Sequence, residues 1–197
     1  GIYGCVASGY REGDGSGGGV EIDGGGSGES GTFVMHGGTI ASCVAGRMGG
    51  GVGNDGVFIM EDGAIRSCSA IGNDGEEAMG GSIRFSGDMT VSGGTISAPG
   101  STGKQHIFGR GAFTISGNAQ IDVRMTLDGT LYANGGTIAG GVMNSYGTIT
   151  GSEGAAGTTT FTGAVVNEGT IRGGVFEGEV TNKEDGTIKD GTFKKKV

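Results

Sequence analysis

Short runs in which apolar and polar residues alternate recur along the chain, and glycines separate them. Val20 and Ile22 flank Glu21, and residues 83–85 and 89–91 repeat this alternation. A period of two is typical of a strand with one buried face. Helices fit poorly, because the longest run without glycine, residues 118–128, has only 11 residues and an interior glycine costs a helix about 1 kcal/mol. The pattern therefore predicts many short strands joined by glycine turns.

One phrase, Ile-x-x-Cys-(Val or Ser)-Ala, organises the first half of the chain. Its copies lie at residues 2–7, 40–45 and 65–70, and a fourth copy at residues 96–99 keeps the isoleucine without the cysteine. The key isoleucines at 40, 65, 96 and 121 are spaced by 25, 31 and 25 residues. Such matched copies indicate a repeat architecture in which stacked turns share one core. We expect three strands per turn.

From about residue 130 the phrase changes to asparagine, a spacer and Gly-Thr-Ile. It begins at Asn134, Asn144, Asn167 and Asn182. Stacking would bring these amides into a hydrogen-bonded ladder. The threonines before the key isoleucines should form one outward column: Thr39, Thr95, Thr137, Thr148, Thr170 and Thr187. We predict three-sided turns over residues 1–129 and tighter turns of the same stack over residues 130–197, with residues 98–105 as a loop.

Three phrases carry a resemblance to a known family: Ser-Gly-Gly-Thr-Ile-Ser at 92–97, Gly-Gly-Gly-Val at 17–20 and 49–52, and Gly-Thr-Phe-Val-Met at 31–35. They resemble the right-handed parallel β-helix repeats of large Gly/Thr/Ser-rich, adhesin-like surface proteins of gut Firmicutes. The resemblance spans nearly the whole chain, although cysteine replaces the usual asparagine and no sortase-type anchor is present. It implies an extracellular, wall-attached protein with an adhesive or structural role.

Together these observations predict an all-β fold, a right-handed parallel β-helix (β-solenoid) with three strands per turn. We expect roughly seven to eight turns, since each turn takes one repeat. The handedness rests on the resemblance and on the general right-handed rule for parallel crossovers.

Composition and charge exclude several classes of protein. The chain has 197 residues with 50 Gly but 1 Pro, which excludes collagen, and the regular apolar anchors argue against a disordered linker. A net charge of −8 argues against nucleic-acid binding, and residues 194–196 fit a solvated chain end. No run approaches the roughly 20 apolar residues of a membrane span, and no signal peptide opens the chain. Because residues 2–7 already belong to a repeat, we expect a monomeric fragment of a longer protein.

The three cysteines are the first candidates for chemistry. Cys5, Cys43 and Cys68 each follow a key isoleucine by three residues, so they should form a column along one corner. Turns stack about 4.8 Å apart, within the Cα separation that a disulfide accepts. Buried thiols and one disulfide with a leftover thiol both remain open, whereas a straight column suits tetrahedral zinc poorly.

Calcium binding is a second candidate. Residues 50–58 fit the nine-residue calcium β-roll pattern, but only a fragment of it recurs, at residues 72–75. A looser calcium site at Asp55 or Asp74 is an alternative to ordinary Asn-Asp-Gly turns. Residues 13–18 match a dinucleotide fingerprint, yet no helix follows to hold a pyrophosphate. No metal, cofactor or catalytic residues are therefore assigned.

Enzyme signatures are sparse. There is no Gly-x-Ser-x-Gly elbow, and His36 and His106 fall in different turns. The densest carboxylates are Glu61 and Asp62 with Glu76 and Glu77. We expect a non-enzymatic adhesin-like or stalk module of a bacterial surface protein whose partner would be a host or matrix glycan or glycoprotein. The alternative is a carbohydrate-active β-helix acting on extracellular polysaccharide, since fold alone does not exclude one.

Overall fold

A computed structural model describes residues 1–7, 16–26, 28–72, 78–98, 106–151 and 157–197. These residues form strands and turns, and none of them belongs to a helix. The described residues thus contain no helix that could cross a membrane. All pairings between the strands are parallel, in three sheets. The predicted all-β class with parallel strands is confirmed.

The first sheet has eight strands and takes one short strand from each repeat. Its members are β3 (Val20–Ile22), β7 (Val52–Asn54), β11 (Ile83–Phe85), β14 (Ile107–Gly109), β16 (Met125–Leu127), β18 (Val142–Asn144), β21 (Val165–Asn167) and β23 (Val180–Asn182). Their spatial order follows their order in the sequence. We call the segment from one of these strands to the next a coil.

Between these strands the chain passes through a second sheet of 13 strands. Its early members are β1 (Ile2–Tyr3), β4 (Thr32–Met35), β5 (Thr39–Ala41), β8 (Val57–Met60), β9 (Ala64–Arg66), β12 (Asp88–Val91) and β13 (Thr95–Ser97). Its later members are β15 (Ala112–Asp122), β17 (Thr130–Ile138), β19 (Thr148–Thr150), β20 (Thr160–Phe161), β22 (Thr170–Phe176) and β24 (Thr187–Phe193). A third sheet joins β2 (Val6–Ala7), β6 (Val44–Ala45) and β10 (Ser69–Ala70). The arrangement is consistent with a β-solenoid.

Columns of buried apolar side chains run from coil to coil. The inner face of the eight-stranded sheet carries Val20, Val52, Ile83, Ile107, Met125, Val142, Val165 and Val180 in register. The key isoleucines Ile40, Ile65, Ile96 and Ile121 are also in register and at most 2% exposed. Their predicted column is confirmed. Burying a large apolar side chain stabilises a fold by about 1.5–3 kcal/mol, so these columns hold the coils together.

The single threonine column was a wrong prediction. Thr137 pairs with Gln120 and Thr160, whereas Thr148 pairs with Thr130 and Thr170. The reason is that β17 runs along two sides of the stack. Thr148 lies beside the start of β17, at Thr130, whereas Thr137 lies near its end. The key-isoleucine column instead continues through Ile138 to Phe161, Phe176 and Phe193.

Coils are longest at the start of the chain and shortest at its end, although the coil from Val142 to Val165, with a spacing of 23 residues, is longer than the one before it. The spacing is 32 residues between Val20 and Val52 but 18 between Ile107 and Met125, and it is 15 between Val165 and Val180. The long strands β15, β17, β22 and β24 each cover a path that two separate strands cover in the early coils. The division at residue 129/130 stays a prediction, and the predicted loop at residues 98–105 lies almost entirely outside the described residues.

Candidate functional site

The cysteines form a column at one corner of the stack, which we call the thiol column (Cys5, Cys43 and Cys68). The Val44 N–H donates to the Cys5 carbonyl at 2.7 Å, and the Ser69 N–H donates to the Cys43 carbonyl at 3.0 Å. The residue before each cysteine is left-handed, with φ of 59° at Gly4, 56° at Ser42 and 55° at Ser67. Serine adopts this conformation uncommonly, so the corner is imposed by the packing on both sides of it.

All three side chains of the thiol column point the same way and are free thiols. Each Sγ lies near the carbonyl two residues earlier, at 3.6 Å from Tyr3 O, 3.4 Å from Ala41 O and 3.4 Å from Arg66 O. Cys43 and Cys68 are buried, whereas Cys5 is only partly so. Burial raises the pKa of Cys68 to about 11. Desolvation and the neighbouring Cys43 thiol also raise the pKa of Cys5, so thiols predominate over thiolates at neutral pH.

The Gly-Gly-Gly-Val phrase packs directly against the thiol column. A Cβ on Gly19 would lie 3.1 Å from Cys43 Sγ, and one on Gly51 would lie 3.1 Å from Cys68 Sγ. A Cβ on Gly50 would come within 2.0 Å of the Ser69 carbonyl oxygen. From sequence alone, this phrase indicated only a family resemblance. Its physical role is to let two backbone segments meet without side chains between them.

A charged cluster lies on the outer face of the eight-stranded sheet. The Arg84 guanidinium and the Ser86 hydroxyl both donate to Oδ1 of Asp55. The Glu21 side chain is exposed, but its carboxylate lies against the backbone of Gly53. Desolvation and Asp55 raise the pKa of Glu21, and Arg84 partly offsets this. Asp55 thus serves as the anion of an ion pair.

This cluster bears on the suggested calcium site. The described residues contain no group of three or more His, Cys, Asp or Glu placed to hold a metal ion. Asp55 uses an oxygen on Arg84 and Ser86, and Asp74 lies outside the described residues. Calcium usually takes six to eight oxygen ligands, a set that the described surroundings of Asp55 do not offer.

The two histidines occupy separate places. His36 Nδ1 lies 2.6 Å from Glu61 Oε2 on the exposed surface. The Gly80 N–H donates to His106 Nε2 at 3.2 Å, so this ring holds the backbone just before β11. Glu76 and Glu77, the other half of the carboxylate cluster, lie outside the described residues.

The predicted asparagine ladder exists for three of the four residues. Asn144 Nδ2 donates to Asn167 Oδ1 at 2.7 Å, and Asn167 Nδ2 donates to Asn182 Oδ1 at 2.7 Å. The ladder ends where Asn182 Nδ2 donates to the Gly186 carbonyl at 2.8 Å. Asn134 was wrongly included, because it lies within β17 opposite Ser116. The ladder is a structural feature of the stack.

An open cleft of about 520 Å³ lies on the second sheet where β22 and β24 bulge. Arg172 and Asp190 stand opposite each other in register on its wall. Thr158, Thr192 and five glycines contribute most of the remaining lining. Sequence reasoning missed this cleft. The signal that could have indicated it is the glycine pair at 173–174, which interrupts an otherwise regular strand.

Comparisons with protein-family models, with curated proteins and with solved structures found no match. What the structure establishes is therefore a class: an all-β protein of parallel sheets, with an arrangement consistent with a β-solenoid. Its candidate sites are the thiol column, the Glu21–Asp55–Arg84 cluster and the Arg172–Asp190 cleft.

Proposed function

We propose that this chain is a non-enzymatic module of a larger bacterial surface protein, acting as a rigid stalk with an adhesive face. In this proposal it is a right-handed parallel β-helix with three strands per turn and roughly seven to eight turns. The observation that supports it most is the continuity of the buried columns through every strand of the eight-stranded sheet. Eight strands about 4.8 Å apart give a rod of about 35 Å.

The use of carboxylates supports a stalk more than an enzyme. Ion pairs join successive coils: Asp55 with Arg84, Asp128 with Arg110 at 3.6 Å, and Glu177 with Lys194 at 2.5 Å. Each of these carboxylates is held by a cation one coil away. Surface pairs of this kind stabilise a protein by only about 0–1 kcal/mol. Their main effect is to keep the outer faces regular.

The cleft supports binding more than hydrolysis. Its volume of about 520 Å³ falls within the range of about 300–1,000 Å³ for small-ligand sites. Asp190 is the one carboxylate among its described lining residues, whereas glycosidases generally use two. Arg172, Asp190 and the two threonines offer donors and acceptors to sugar hydroxyls. A glycan therefore fits the chemistry of this cleft.

A retention assay on immobilised glycans and mucin, with released reducing sugar measured in the same wells, tests the proposal. We expect retention without sugar release, and loss of retention in Arg172→Ala and Asp190→Asn. The control Lys189→Ala changes an exposed residue of β24 that does not line the cleft. Sugar release would contradict the non-enzymatic proposal in favour of the carbohydrate-active alternative. Failure of retention would contradict the proposed adhesive role, and only the proposed stalk role would remain.

A further inference from the structure

We propose that Cys5 and Cys43 form a redox-active pair, which a small-molecule disulfide converts to an intramolecular disulfide that fastens the first strands to the coil beside them. This site is independent of the proposed adhesive role. It rests on the register of the thiol column, on the different burial of its members and on the single pairing partner of each strand in residues 1–7.

The register places the two sulfurs side by side. Ile2 pairs with Ile40 before the corner, and Val6 pairs with Val44 after it. Cys5 and Cys43 are therefore held opposite each other from both sides, at the strand spacing of about 4.8 Å. Disulfides accept Cα separations of about 4.4–6.8 Å. Both thiols point toward the carbonyl two residues earlier, so they already share one orientation.

Burial determines which thiol reacts first. Cys43 and Cys68 are both 0% exposed, whereas Cys5 is partly exposed at the edge of the column. A dissolved disulfide can therefore reach Cys5 but not the inner two. Cys68 lies one coil beyond Cys43, since Ala7 pairs with Ala45 and Ala45 pairs with Ala70, so it is not opposite Cys5. Cys43 is thus the partner that resolves a reaction begun at Cys5.

The reaction has two balanced steps of thiol–disulfide exchange. The Cys5 thiol loses its proton, and its sulfur attacks one sulfur of the small disulfide, breaking that S–S bond and releasing one thiolate. The Cys43 thiol then loses its proton to solvent, and its sulfur attacks Cys5 Sγ in the mixed disulfide and releases the second thiolate. Two protein thiols are oxidised to one disulfide, and the small disulfide is reduced to two thiols.

The bond would join two strands that each have a single pairing partner to the coil beside them. Strands β1 and β2 each pair with one neighbouring strand, β5 and β6. Ile2 and Cys5 are partly buried residues packed against the edge of the core. Closing the loop from residue 5 to residue 43 restricts the unfolded chain and so favours the folded one. Oxidation should therefore protect residues 1–7 from fraying.

The test treats the whole folded chain with oxidised glutathione and maps its disulfides by mass spectrometry of a non-reduced digest. We expect a peptide linking Cys5 to Cys43, one alkylatable thiol at Cys68, and slower amide hydrogen exchange in residues 2–7 than in the reduced chain. Cys68→Ser should form the same bond. Cys5→Ser should resist oxidation and keep the exchange rates of the reduced chain.

Three outcomes would overturn the proposal. One is glutathione remaining on Cys5 without an internal bond, and another is a Cys43–Cys68 bond. The third is no reaction of the folded chain under conditions that oxidise a cysteine-containing peptide. A circular dichroism spectrum of each variant verifies its fold, so a failure to react can be separated from misfolding. Cys43→Ser adds a check, since it should stop the reaction at the mixed disulfide.

Discussion

The early and late coils use one column of the stack in different ways. The last position of each strand in the eight-stranded sheet is held by Ile22, Asn54, Phe85, Gly109, Leu127, Asn144, Asn167 and Asn182. Asn54 lies between apolar neighbours, and its amide donates to the Asp88 carbonyl at 2.9 Å. The later asparagines bond to one another. An amide ladder thus requires repetition, whereas a single buried amide needs a backbone partner.

The coils also differ in how they close. The early coils add the short strands β6 and β10 after the cysteine corner and pack glycines against them. The late coils lack these additions among the described residues and replace the isoleucine column with stacked rings. Phe161 and Phe176 are 4.6 Å apart, and Phe176 and Phe193 are 4.9 Å apart. The longer early coils thus include an extra corner, whereas the shorter late coils fill the core with larger side chains.

The largest effect is expected at the column that both regions share. Ile65→Asp places a charge among apolar neighbours, where Ile65 is 0% exposed and no cation is in register. Burying an unpaired charge belongs to the most destabilising class of substitution, and we expect a loss of more than about 4 kcal/mol. Urea unfolding measures it. Arg66→Asp, at the exposed next position, is the control, and equal losses in the two variants would disprove the register.

The corner of the early coils gives the next effect. Gly50→Ala would place a Cβ 2.0 Å from the Ser69 oxygen and 2.4 Å from the Gly81 oxygen, both in the backbone. Overpacking of this kind costs about 1–3 kcal/mol. Gly37→Ala is the matched control, because a Cβ there meets nothing within 4 Å. Thermal melting compares the two variants. If Gly50→Ala has the same melting temperature as the wild type, the inferred close packing at this corner is wrong.

The difference between the regions also explains what sequence could predict. The columns through Ile65 and Cys43 follow from the recurrence of one phrase and from a period of two within it, which need only local sequence. The position of Thr148 could not be predicted in this way. The same Gly-Thr-Ile phrase occurs on two sides of the stack, and the length of the coil determines on which side it lies. The cleft was missed for a related reason. It arises where Gly174, with φ of 118°, lets β22 bulge over the edge of a phenylalanine ring.

The ladder of the late coils gives a third, smaller effect. Asn167→Ala would leave the Asn144 amide donor and the Asn182 amide oxygen without their 2.7 Å partner. Leaving a buried polar group such as the Asn144 amide unsatisfied costs about 1–3 kcal/mol, and we expect the lower end of this range because Asn182 is exposed and water can replace its partner. Thr181→Ala, at an exposed position of β23, is the control, and urea unfolding measures both. A loss no greater than that of the control would mean that the ladder contributes no net stability, in contrast to the apolar packing of the early coils.

The smallest effect concerns the charged face of the early coils. The pKa of Glu21 is raised in the folded protein, first by desolvation and then by Asp55. A folded carboxyl with a raised pKa binds its proton more tightly than the unfolded one does. Its favourable contribution is therefore complete below the unfolded pKa and is lost as pH rises through the folded pKa.

Glu21→Gln should raise the melting temperature slightly near pH 7 and leave it unchanged near pH 3, where the carboxyl is protonated in both states. The control Glu29→Gln removes another exposed carboxylate of the same coil and so corrects for the change in net charge. If the melting temperatures of both variants change equally with pH, the effect comes from the net charge of −8. The surroundings of Glu21 then have no specific electrostatic effect on stability.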